Sequence, residues 1–214
     1  MFSITDYVRQ ILHTKPTLTE MLCKNYLNLS SLAQDLIPEI QKQSYKPVSK
    51  NAVVMALSRI QKELKSPEQL EFKVNDIQVK YPLSEINYPI PLQYCTEEIN
   101  SIYKKIQNSE NHYLNIVSGN SETTIFVNTK LKNIIFEAFD GFVNNLELDQ
   151  LASVSLKFST EYLEQIGITY QVLQALAWNK INLVEVVSTY TEITLIIDQK
   201  DTQRLIDILN HKFL

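Results

Sequence analysis

Glycine is scarce in this chain. Gly119, Gly141 and Gly167 are the only three in 214 residues, against an ordinary usage of roughly 7%. That scarcity argues against glycine-rich loops that bring backbone close to a phosphate. Cysteine is nearly as rare: Cys23 and Cys95 lie far apart without metal-ligand spacing, as expected of reduced, buried thiols. His13, His112 and His211 stand isolated from one another. No HExxH, CxxC, GxSxG or Walker pattern occurs, and no nucleophile–base pair or metal set can be assembled. The expectation is a protein that is not an enzyme, with no metal and no cofactor. Nor does any apolar run approach the roughly 20 residues that span a bilayer. The opening MFSITDYVRQ lacks the basic-then-apolar pattern of a signal peptide. A cytoplasmic location without a membrane partner follows as the expectation.

What is present is an ordinary globular composition, 44% hydrophobic and 21% charged, with an uneven charge distribution. Residues 1–65 hold nine basic against five acidic side chains, a balance of +4. The remainder holds eleven against nineteen, or −8. A basic front and an acidic back point to different partners for the two parts.

The front reads as four helices. Ser3 to Asp6 offers an N-cap, and Tyr7, Ile11 and Leu12 form a stripe. Pro16 breaks that helix, and Thr17 with Glu20 suggests a capping box for the next. Asn28 opens a third helix with Leu32, Ala33, Leu36 and Ile40 inside. Pro47 and Ser49 precede a fourth, in which Val53, Ala56, Leu57, Ile60 and Leu64 repeat at threes and fours. Ser66-Pro67-Glu68 marks a boundary.

After it the pattern changes to alternation. Leu70, Phe72, Val74 and then Ile77, Val79 and Tyr81 predict two strands about an Asn75-Asp76 turn. Pro82, Pro89 and Pro91 mark a connection, and Thr96 caps a helix to about Asn108. A hairpin follows, with strands 113–118 and 123–128 about Gly119-Asn120. A helix over 129–139 ends at Asp140-Gly141, and 142–148 reads as a strand. The order then repeats: strand 152–158, helix 168–179, strands 182–188 and 192–197, helix 201–213. Two successive βαββα units predict an α+β protein, with a helical, helix-turn-helix-like domain at 1–66 and ferredoxin-like units at 69–149 and 151–214. The second unit has no last strand of its own, so its edge must be filled by a neighbour or left open.

The stretch GITYQVLQALAWNKINLVEVVSTYTEITLIID resembles the ACT domains that follow the catalytic domain of aspartokinases. The resemblance rests on Gly167 opening a helix, the L-x-x-L-A run from Leu173 to Ala177, K-I-N-L at 180–183 and S-T-Y-T-E-I-T at 188–194. It covers some 50–60 residues. What it implies is a dimerising regulatory module with an amino-acid site between subunits, made from Gln165, Ile166, Gly167, Ile168, Asn182 and Leu183. The physics is consistent with such a site. Glycine admits close approach to the backbone, and the first N–H groups of a helix suit a carboxylate. The loop departs from the family's D-x-P-G by reading E-Q-I-G-I, and a tight turn that binds nothing is the other reading. In the middle unit the corresponding loop, 83–95, is rich in Pro and Tyr and has no glycine, which suggests a degenerate unit used in packing or dimerisation.

For the front, Lys46, Lys50, Asn51, Arg59 and Lys62 lie on or near the fourth helix. Lysine and arginine there would neutralise phosphates of duplex DNA, and Asn51 would reach a base edge. A helical interaction domain with a solvated charged face is the alternative. Trp178, at a helix end among apolar residues, reads as core or interface packing. The leading expectation is a non-catalytic regulator, a homodimer or higher homo-oligomer. In it, ACT modules that bind an amino-acid effector would control a DNA-binding or interaction domain. The rival is a non-sensing module that regulates a partner enzyme through its ACT surface.

Overall fold

A computed structural model describes residues 2–64, 72–107 and 112–214 and divides the chain into two compact units, Met1–Gln69 and Leu70–Leu214. The first is helical. Helix α1 (Ile4–His13) begins at Ser3, whose hydroxyl accepts from the Asp6 amide while the Asp6 carboxylate accepts from the Ser3 amide. That reciprocal cap satisfies two otherwise unpaired donors. Helix α2 (Pro16–Cys23) departs from expectation, since Thr17 and Glu20 form no capping box. Pro16 is itself the first helical residue, a position where its missing N–H costs nothing. Asn28 caps α3 (Leu29–Ser44), and Ser49 caps α4 (Lys50–Glu63). Val8, Ile11, Leu22, Leu36, Ile40, Val53, Leu57 and Ile60 close the core between them.

The second unit is one six-stranded antiparallel sheet in the order β2-β3-β1-β4-β6-β5. Its strands are β1 (Val74–Tyr88), β2 (Leu114–Ser118), β3 (Thr123–Asn128), β4 (Leu146–Phe158), β5 (Leu183–Ser188) and β6 (Glu192–Asp198). Helices α5 (Thr96–Ile106), α6 (Lys132–Ala138) and α7 (Ile168–Trp178) connect them, and α8 (Thr202–Phe213) follows β6. A mixed helix–sheet architecture with a helical front and tandem βαββα units is therefore what the chain adopts.

Three strand-level expectations are corrected. Asn75-Asp76 is not a hairpin turn: it is a bulge in β1, where pairing shifts from Val74↔Phe158 to Asp76↔Lys157. Pro82 and the first part of the 83–95 connection lie inside β1, so the connection proper begins after Tyr88. The separate strands read at 142–148 and 152–158 are one strand, β4. Leu70, Asn108 and the Ser66–Glu68 boundary fall outside the described residues.

The long strands explain how the units combine. Leu83 to Tyr88 of β1 pair with β3, and Leu151 to Lys157 of β4 pair with β6. On their other sides the two long strands lie against each other along almost their whole length, from Val74↔Phe158 to Asn87↔Leu146. Each unit thus donates the edge strand that the other lacks, and the open edge expected for the second unit is filled by β1. Around Tyr81-Pro82 and Gln150 both strands bulge, and their side-chain alternation switches there. The switch lets both helical layers share one face. On that face Ile86, Tyr88, Ile125 and Val127 meet α5 and α6, and Val154, Leu156, Leu195 and Ile197 meet α7 and α8.

The opposite face is closed by the sheet itself. Leu83, Phe126, Leu151 and Ile196 are buried there, packed with Tyr113, Val117 and Val184. One cluster here joins side chains of all six strands, from Val117 of β2 at one edge to Val184 of β5 at the other. The sheet therefore curls toward this face.

Candidate functional site

Gly167 holds φ +95° and caps the start of α7. A left-handed residue there turns the chain from the Thr160–Tyr162 helical turn into the helix, a conformation costly to any residue with a Cβ. Ile168 is buried beneath it, whereas Ile166 is 86% exposed. Gln165 donates its amide to the Tyr162 carbonyl at 3.0 Å. These four residues form one turn at the N-terminal end of α7, with Ile166 exposed, and the first N–H groups of a helix have no partner within it.

Asn182 and Leu183 lie elsewhere. They follow the C-terminal end of α7, after Lys180 at φ +54°. Eleven helical residues separate the ends, about 16 Å at 1.5 Å per residue. One copy of the chain does not bring Gly167 and Asn182 together. Sequence spacing concealed this, because fifteen residues folded as a helix and a short turn separate two points that the same length of loop would unite.

Trp178 is not core: its side chain is 73% exposed. It borders a groove of about 630 Å³ with Gln174, Asn179, Ile208 and His211, between α7 and α8. Between α5 and α6, Lys105 and Glu137 form an ion pair at 2.8 Å.

The curled face carries polar groups that sequence reasoning missed. Asn87 donates to Thr124 at 2.8 Å and to Glu122 at 3.2 Å. At the matching place in the second half, Ser155 bonds Thr194 at 2.7 Å, and Thr194 donates to Glu192 at 3.1 Å. The signal was available as V-S-x-x-x-E-x-T at 117–124 and again at 187–194. Glu85 is 7% exposed, and one of its carboxylate oxygens has no hydrogen-bond partner. Burial pushes its pKa up, with the charges of Glu185 and Glu122 adding to the effect. On the helical face Asp149 is held below the ordinary carboxylate range, first by the Ser84 hydroxyl at 2.6 Å and then by Lys132 at 2.9 Å.

In the helical unit Asn51, Arg59 and Lys62 share one exposed side of α4 with Met55, which is 71% exposed. The spacing of four, four and three keeps them within one stripe. Lys50 begins the helix, and Lys46 stands on the connection before it. Elsewhere in the unit Arg9 pairs with Glu63, Lys15 with Glu39 and Lys24 with Glu20.

No group of three or more metal-ligating side chains occurs among the described residues, and no described helix is long and apolar enough to cross a membrane. No family model matches the chain, and no curated protein matches it. Solved structures do. The chain is similar to a structure of aspartokinase alpha and beta subunits at 14% identity and TM-score 0.53, over 65% of this chain and 98% of that one. It is similar to the regulatory subunit of aspartate kinase from Thermus thermophilus at 15% identity and TM-score 0.51, over 66% and 99%. A third likeness, to Clostridium acetobutylicum aspartate kinase, has TM-score 0.55 at 14% identity and covers 69% of this chain but 36% of that enzyme. The sheet unit has the tandem ACT-like fold of aspartate kinase regulatory subunits.

Proposed function

We propose that this protein is a non-catalytic regulator in which the ACT-like sheet unit assembles into a homo-oligomer and senses a small amino acid. The observation that carries the reading is the Gly167 turn at the start of α7, with Ile166 exposed beside it, on a fold shared with the regulatory subunit of aspartate kinase. The effector's carboxylate would be taken by the first amides of α7. Because Asn182 sits at the far end of the helix, the site is composite. Gln165, Ile166, Gly167 and Ile168 of one copy face Asn182 and Leu183 of a second. A ligand bridging two copies favours one arrangement of the oligomer over another, which is how binding would reach the helical unit. There, Lys46, Lys50, Asn51, Arg59 and Lys62 would engage duplex DNA.

The test is a thermal-shift series on the full chain with each proteinogenic amino acid at millimolar concentration. One or a few should raise the midpoint, and Gly167→Ala and Asn182→Ala should each abolish that rise. Identical midpoints throughout would sink the sensing reading. For DNA, affinity should fall steeply with salt, and Arg59→Ala with Lys62→Ala should flatten the slope. Exposure of Trp178, Tyr170 and Ile166 favours a second reading, in which the sheet unit docks on a partner enzyme without sensing. Binding of neither amino acid nor DNA, with a stable heteromeric complex, would select it.

A further inference from the structure

The two halves of the sheet unit place a lysine at the same point. Register fixes the equivalence: Leu83 pairs with Asn128, and Leu151 pairs with Asp198, so Lys130 and Lys200 each stand two residues beyond corresponding strand ends. In the second half the cation is neutralised. Lys200 bonds Asp198 at 2.6 Å through its ammonium group and at 3.0 Å through its amide. In the first half the aspartate is replaced by Asn128, and Lys130 makes no ion pair with any described residue.

Lys130 is not the only cation there. Lys80, also without a partner among the described residues, lines the same groove of about 340 Å³, together with Val79, Tyr81, Pro82 and Asn128. The groove exists because β1 bulges. Pairing with β4 jumps from Lys80↔Ser153 to Leu83↔Leu151, leaving Tyr81 57% exposed at its wall. Asn128 adds a donor. Its carbonyl oxygen accepts the Tyr113 amide at 2.6 Å, so its amide NH₂ is left to donate.

Two lysines and an asparagine thus line one concavity in a part of the chain that is otherwise strongly acidic. Its volume lies at the small end of the range for metabolite sites, roughly 300–1,000 Å³. An anion is the complement of such a lining, and two lysines match two negative charges. The exposed Tyr81 ring and Pro82 give an apolar wall for a short carbon skeleton. We propose that Lys80, Lys130 and Asn128 form a binding site for a small dianion, a phosphate ester or a dicarboxylate, in the first half only. The site shares no residue with the Gly167 turn, so it stands or falls separately from amino-acid sensing.

The test is titration calorimetry on the full chain at low salt, with inorganic phosphate and succinate as probes. Saturable binding of either is expected, and which one binds tells the phosphate class from the dicarboxylate class. Asn128→Asp restores the arrangement of the second half and should weaken binding at least about tenfold, as the loss of a charge-assisted contact does. Lys130→Gln, at an exposed position that folding does not depend on, should do the same, whereas Lys200→Gln should bind as the unaltered chain does. The proposal is overturned if neither probe binds saturably at tens of millimolar. It is equally overturned if Lys130→Gln binds as tightly as the parent, or if Lys200→Gln loses binding to the same degree.

Discussion

The two halves of the sheet unit share a skeleton and differ in chemistry. Each has two helices on one face, a hairpin with the same V-S-x-x-x-E-x-T spacing, and a polar pair on the curled face. Yet the outer face of α5 carries Glu97, Glu98, Lys104 and Lys105, whereas α7, ITYQVLQALAW, has no charge at all. Position 85 in the first half is a buried carboxylate, and its partner across the pseudo-twofold, Ser153, is neutral. The difference teaches that the repeat preserves what the sheet needs and leaves exposed helix faces and strand ends free to diverge. An uncharged outer face suits contact with a second protein surface. A charged one suits solvent.

The largest test of the comparison is packing. Phe126 and Ile196 occupy corresponding places on the curled face, both fully buried. Phe126→Ala should cost about 3–5 kcal/mol and Ile196→Ala about 2–5 kcal/mol. Because β1 and β4 are shared, urea unfolding followed by circular dichroism should show one transition for the sheet unit in both variants. Two separate transitions would mean that the halves are independent. Next comes Gly167→Ala, which forces a Cβ into φ +95° at a cost of about 1–2 kcal/mol. The loss should appear in calorimetry without any ligand. An unchanged midpoint would show that the turn relaxes to an ordinary conformation.

Glu85→Gln tests the asymmetry of the curled face and should be stabilising at neutral pH. The folded-state pKa of Glu85 is raised by burial and by Glu185 and Glu122, so the native state binds more protons than the unfolded chain over the window above the ordinary carboxylate range. Stability therefore falls as pH rises through that window. The advantage of Glu85→Gln over the parent should grow with pH across it and vanish below it. A pH-independent difference would assign the effect to packing. The smallest effect is expected at Trp178. Trp178→Ala should change the stability of the dilute chain by no more than about 0.5 kcal/mol, while shifting sedimentation toward smaller species if α7 is an assembly surface. Tyr103→Ala on α5 is the contrasting control.

The caps at Ser3, Asn28 and Ser49, the helical periods, and the hairpins about Gly119 and Thr189 were legible because each is written in residues close in sequence. Residues 142–158 were not: they read as two strands, 142–148 and 152–158, yet one strand, Leu146–Phe158, runs through Gln150 at φ +59°. Its continuity depends on pairing with β1, some seventy residues away. The residues around Gly167 were legible as a turn, but their separation from Asn182 was not.

What the sequence determined by itself is local. Hydrophobic period, capping hydroxyls and positive-φ glycine set which segments are helix or strand and which face each buries, because those preferences act over three to five residues. Only the tertiary structure decided that β1 and β4 cross-complete two units in one sheet. Only it decided that Glu85 is buried beside other carboxylates, and that Asn128 leaves Lys130 uncompensated where Asp198 holds Lys200. Those outcomes depend on strand register and sheet curvature. Both are set by the packing of residues far apart in the chain, and neither leaves a mark at the residues it brings together.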